Sequence, residues 1–218
     1  MNIHSRPIQI YRWAVFLLAA GYCLYQMLIG NWGGPGGPFR YLPNWALILS
    51  FYAASRMLAL PEHRITQRHE VTAMCAAVLN VMVVFLYWRL YFTDPTLVNG
   101  RGPIIWNLEY YLHGLGPVLQ IVDAVFVGRV FHRVWRAIAP LMLIIGAYVM
   151  WAELFVQRFN DKPTGSVTSG LPYPFLNGME LPERAVFYAI NAGTALGLLV
   201  AFGFIGAVLY RVMRPQVA

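Results

Sequence analysis

The sequence predicts an all-α fold: a polytopic membrane protein, one domain over 1–218, built as a six-transmembrane-helix bundle. Three observations lead there. The 218 residues are 59% apolar and only 11% charged, against roughly 25% charged in average soluble domains. A soluble globule of this length could not hide so much apolar surface, and lipid as solvent removes that cost. The apolar residues also gather into segments near the ~20 residues that a spanning helix needs, with none of the period-two alternation of barrel strands.

The segments are 11–30, 44–60, 71–91, 106–128, 137–155 and 184–213. The first contains Leu17-Leu18-Ala19-Ala20-Gly21-Tyr22-Cys23, similar to a lipoprotein cleavage site. Tyr22 occupies the place of the required small residue and the apolar run continues, so a retained helix is expected. Gly33-Gly34-Pro35-Gly36-Gly37-Pro38 then breaks the chain. No strand precedes it and no Gly-Lys-Ser/Thr follows, so it reads as a flexible turn, not a phosphate cradle. The second segment is short and ends at Pro61-Glu62-His63-Arg64. The third holds Cys75; neither it nor Cys23 has metal-type spacing, and both read as packing thiols. Asp94-Pro95 and Gly100-Arg101-Gly102-Pro103 introduce the fourth, which carries polar residues and Pro117. In the sixth, Gly193, Gly197 and Ala201 form a small-residue face suited to close packing, within the bundle in preference to another chain.

Of the 16 basic residues, all but Lys162 are Arg, and they are spread along the chain. No basic block with interleaved aromatics appears, so the net charge of +7 points to headgroups and not to nucleic acid. Six crossings place both termini on one side. That side would hold ten Arg, from Arg6 and Arg12 to Arg211 and Arg214, against six basic residues opposite. The positive-inside rule then makes the termini cytoplasmic and puts the loop 156–183 outside.

Ionisable residues inside a span are costly and point to function. Glu109, His113, Gly116, Gln120 and Asp123 recur at spacings of four, three, four and three, which places them on one helical face. Pro117 has no amide to offer the carbonyl of His113. His113 and Asn191 each fall about 10 Å along their helices from the outer side. Arg89 and Glu153 end the third and fifth segments on that side. Two readings stand: a structural knot, in which Arg89 pairs with Glu109 or Glu153, and a binding or catalytic pocket around His113. A metal held by Glu109, His113 and Glu153 has weak support from a single histidine, and no metal or cofactor is expected. His63, His69 and His132 lie in loops or at helix ends, which disfavours two-histidine haem.

Three stretches carry a resemblance: Phe39-Arg40-Tyr41-Leu42-Pro43-Asn44-Trp45, His113-Gly114-Leu115-Gly116-Pro117, and Tyr173-Pro174-Phe175-Leu176. In this order and placement the chain resembles the androgen-induced-protein family. That family includes the androgen-dependent regulator of tissue factor pathway inhibitor, the rolling-stone-type proteins and bacterial homologues. The resemblance implies a bacterial-type member in an inner membrane. It also implies kinship with membrane threonine hydrolases of fatty-acid esters, in which a threonine opening the second helix attacks and a histidine in the fourth assists. The histidine corresponds to His113, and the threonine position holds Pro43. Proline offers no hydroxyl. Ser50 shares the helical face but lies roughly 10 Å deeper, phenols such as Tyr41 and Tyr173 are poor ester nucleophiles, and water attack assisted by His113 and Glu109 is chemically allowed.

The expectation is therefore a lipid-binding or altered hydrolase-like protein. Its fatty acyl ligand would present an ester or carboxylate to His113 and Arg89. The alternative is a non-catalytic accessory subunit of a larger membrane complex. A transporter is disfavoured by the lack of internal repeats.

Overall fold

The computed structural model describes residues 5–99, 105–160 and 170–212. Position 213 of the sixth segment lies outside these, as do Arg101, Lys162 and Arg214 of the charge count. Among the described residues there is no strand, and the chain is an all-α polytopic membrane protein.

Six helical rods carry the fold. They are α1 Arg6–Leu28, α2 Leu42–Ala59, α3 Glu70–Thr93, α4 Trp106–Val127, α5 Trp135–Phe159 and α6 Leu181–Val212. Each falls on an expected segment, with ends displaced by up to five residues, as for α1, which begins at Arg6 instead of 11. Pro7 sits comfortably in its first turn, where no amide donor is needed. Five rods are long and apolar enough to cross a membrane; α2 is not among them. At 18 residues it is the shortest, and Asn44, Ser50 and Arg56 dilute its apolar character.

The centre of the bundle is α3, which packs on α2, α4, α5 and α6. Its sequence explains the placement. Ala73, Ala76 and Ala77 let neighbouring backbones approach, while Met74, Val78, Leu79 and Met82 fill the gaps, all of them buried. A helix apolar on every face belongs in the interior. In the same core lie Met57, Val125, Phe131, Leu141 and Leu199. Asn80 is the polar exception; its amide donates to Ser50 Oγ at 2.7 Å and to the Ala76 carbonyl at 2.8 Å.

One charged tie holds α1, α2 and α4 together. Arg12 Nε lies 3.0 Å from Asp123 Oδ1, and Arg12 Nη1 donates to the Met57 carbonyl at 2.9 Å. The Tyr11 hydroxyl adds a bond to the Leu119 carbonyl. Because α1 starts a turn earlier than expected, Arg12 lies inside the helix at 3% exposure, turned toward α2 and α4. Asp123 likewise serves this tie and not the site around His113.

The second half of the glycine-rich run forms a turn packed against aromatic rings. Gly36 and Gly37 adopt φ of 76° and 50°, a left-handed backbone that favours glycine. A Cβ at either would press on the ring of Trp151 or Trp32. A 3-10 turn, Gly37–Arg40, then leads into α2.

Removing one member of a buried ion pair strands the other charge. Asp123→Ala should therefore lower stability by about 3–5 kcal/mol, and the double variant Arg12→Met/Asp123→Leu should recover most of it. Denaturation of the purified chain in detergent measures both.

Candidate functional site

The site begins with Pro117. Without a proline amide, the carbonyl of His113 has no partner in its own helix. The backbone widens into a π turn over Tyr111–Leu115, in which the Gly116 amide donates to the Tyr111 carbonyl. The freed carbonyl is met from outside: Trp88 Nε1 on α3 donates to His113 O at 2.8 Å. The indole thus fixes the turn that carries the imidazole.

The imidazole itself is buried, at 4% exposure. Its ring stacks on Tyr87, with centroids 3.6 Å apart and planes 8° from parallel. His113 Nδ1 lies 3.0 Å from Glu109 Oε2, one turn back on α4. The distance suits an ion contact, but the approach is too bent for a hydrogen bond, and both atoms are buried without another partner. An imidazole and a carboxylate therefore face one another with unused hydrogen-bonding capacity.

Opposite stands the start of α2. Leu42, Pro43 and Asn44 form its first turn, so the proline costs no hydrogen bond there. The orphan amide of Leu42 donates to the Tyr173 hydroxyl at 3.2 Å. The Tyr148 hydroxyl donates to the Arg40 carbonyl at 3.1 Å, and the indoles of Trp45 and Trp151 both donate to the Phe39 carbonyl. Asn44 is buried, donating to the Pro38 carbonyl and accepting from Gln26 Nε2, each at 2.7 Å. Tyr148 and Trp151 of α5, as donors, and Tyr173 of the 170–180 loop, as an acceptor, thus clamp the entry to α2.

Between these walls lies a cavity of about 470 Å³. Pro43, Asn44, Glu109, His113, Tyr173 and Asn191 line it together, although they come from four parts of the chain. Phe175 lines it too, while Pro174 only opens the short helix Pro174–Asn177. Leu79, Met82, Val83 and Leu86 of α3 provide much of the apolar wall. Among the described residues no Ser, Thr or Cys lines it. Ser50 faces a separate void of about 10 Å³ and accepts from Asn80, so it does not replace the missing hydroxyl.

Two expected pocket residues lie elsewhere. Arg89 is exposed and does not line the cavity; its guanidinium sits 6.0 Å from the Phe85 ring. It falls two residues past Tyr87, which turns it to another face of α3. Glu153 stands behind the wall, gripped by Arg184 at 2.8 and 3.1 Å and accepting from the Tyr188 hydroxyl at 2.8 Å. Neither pairing imagined for Arg89 exists, because Arg184 takes Glu153. With Glu153 so engaged, no group of three His, Cys, Asp or Glu is suited to a metal among the described residues. Tyr87, Trp88 and Tyr148 escaped the sequence reading. The unpaired carbonyl below Pro117 was the available signal, since it demands a donor on a neighbouring helix at that depth.

The apolar helices define an integral membrane protein, and the cavity between them, with one buried imidazole beside a carboxylate, is its candidate site. The chain belongs to the FAR-17a/AIG1-like protein family, whose model matches residues 10–207. That range includes all three stretches that carried the resemblance. No curated protein and no solved structure matches the chain.

Trp88→Phe keeps the ring but strands the His113 carbonyl. A loss of about 1–3 kcal/mol is expected, measurable by denaturation in detergent.

Proposed function

We propose that the chain is a lipid-binding member of its family, holding a fatty acyl ligand in the cavity beside His113 without threonine chemistry. One observation carries the reading. Pro43 and His113 line the same mostly apolar cavity, and among the described residues no side chain on its walls has an aliphatic hydroxyl or thiol. Covalent ester cleavage needs such a nucleophile within reach of its base. The remaining hydroxyls are phenols, and that of Tyr173 already accepts from the Leu42 amide. The volume suits a small-molecule site. In this reading α2 is the sixth crossing, and the termini are cytoplasmic in a bacterial inner membrane, supported by the arginine bias.

A hydrolase activity probe should leave the parent chain unlabelled and label a Pro43→Thr variant, since a first-turn threonine fits that backbone. Labelling of the parent would sink the proposal. His113→Ala should weaken binding of an acyl lipid in detergent by about tenfold or more, the equivalent of 1.4 kcal/mol.

A second reading, an accessory subunit of a larger complex, has its own support. A Cβ added at Gly193 or Gly197 would meet nothing within 4 Å, so among the described residues that face of α6 packs against no other helix, contrary to the sequence expectation. Isolation from mild detergent as a lone small particle would count against it.

A further inference from the structure

Several donors around the cavity are committed to the protein itself. Tyr148 donates to the Arg40 carbonyl, Tyr188 to Glu153, Gln26 to Asn44, Asn44 to the Pro38 carbonyl and Asn191 to the Phe187 carbonyl. Immediately beside His113 there is unused acceptor capacity. Glu109 Oε2 accepts no hydrogen bond. A carboxylate 3.0 Å from Nδ1 favours the tautomer with its proton there, which leaves Nε2 with a lone pair.

Among the described residues no guanidinium lines the walls to balance this carboxylate. Arg89 is exposed, and Arg184 is taken by Glu153. Arg40 is buried behind Tyr41, donating to the Asn31 carbonyl, and does not line the cavity.

We infer that the cavity selects a lipid whose buried end is a neutral hydroxyl, a long-chain alcohol or partial glyceride, and disfavours a free fatty-acid carboxylate. This rests on the lipid-binding reading above and adds the headgroup class. A hydroxyl donates to Glu109 or to His113 Nε2 and fills an unused valence. A carboxylate has no hydrogen to donate and meets a like charge. Glu109 is the residue that sets the preference.

The test titrates oleyl alcohol, monooleoylglycerol and oleate into the full chain in detergent at about pH 8, where oleate is ionised. At least one hydroxyl lipid should bind about tenfold or more tightly than oleate. Tighter binding of monooleoylglycerol than of oleyl alcohol assigns a glyceride, and the reverse order an alcohol. Glu109→Gln removes the charge and adds a donor, so the gap should shrink by about fivefold or more, chiefly through better oleate binding. Oleate binding as tightly as the hydroxyl lipids to the parent, or an unchanged gap in Glu109→Gln, overturns the inference while leaving lipid binding intact. Failure of all three lipids to bind the parent overturns the lipid-binding reading itself.

Discussion

The absent amide of Pro117 governs the site. A proline within a helix leaves a carbonyl one turn back unmet, and in an apolar bundle an orphan acceptor must find a donor. Here the donor is the indole of Trp88 on the central helix, 2.8 Å away. That bond ties the fourth rod to the third at the turn carrying His113, and Tyr87 one residue earlier supplies the flat surface on which the imidazole rests. A local deficiency in α4 is thus converted into a contact between helices, and that contact orients the ring.

Polarity inside the bundle is sorted into two regions by the same rule. In one, Arg12, Asp123 and the Met57 carbonyl satisfy each other, and neither charged side chain keeps an orphaned buried atom. In the other, the Glu109–His113 pair stays incompletely bonded beside open space. The first arrangement is what a structural tie looks like in lipid. The second retains unsatisfied valence next to a volume, which is why it is the candidate site although both contain a titratable group from the same face of α4. Helical periodicity alone grouped Glu109, His113 and Asp123; the partners on α1 and α3 separate them.

Much of the architecture was legible in composition and apolar run length, because lipid exposure imposes long uninterrupted stretches. The family match over 10–207 agrees with three short motifs read in sequence order. What periodicity could not supply was direction across helices. Arg89 has the right depth and the wrong face, and Glu153 has the right depth but a stronger partner in Arg184, whose place at the start of α6 made it look interfacial. The glycine run looked flexible because its composition permits motion. Its packing against Trp151 depends on a residue far along the chain, and only Trp32 adjoins the run. Asn191 has the same depth and also the face that lines the cavity.

The wide turn at Tyr111–Leu115 has a further consequence for chain length. A π turn accommodates one residue more than an ordinary helix needs, which makes it a stored insertion. Deleting a single residue there would return the segment to ordinary α-helical spacing, and because the wide turn uses its extra residue for nearly the same rotation about the axis, the faces on either side would stay aligned. The ring of Pro117 would then press on the tightened turn before it. The additional residue therefore spends its effect locally, on the backbone that carries the imidazole, and leaves the two ends of α4 facing the neighbours they face now.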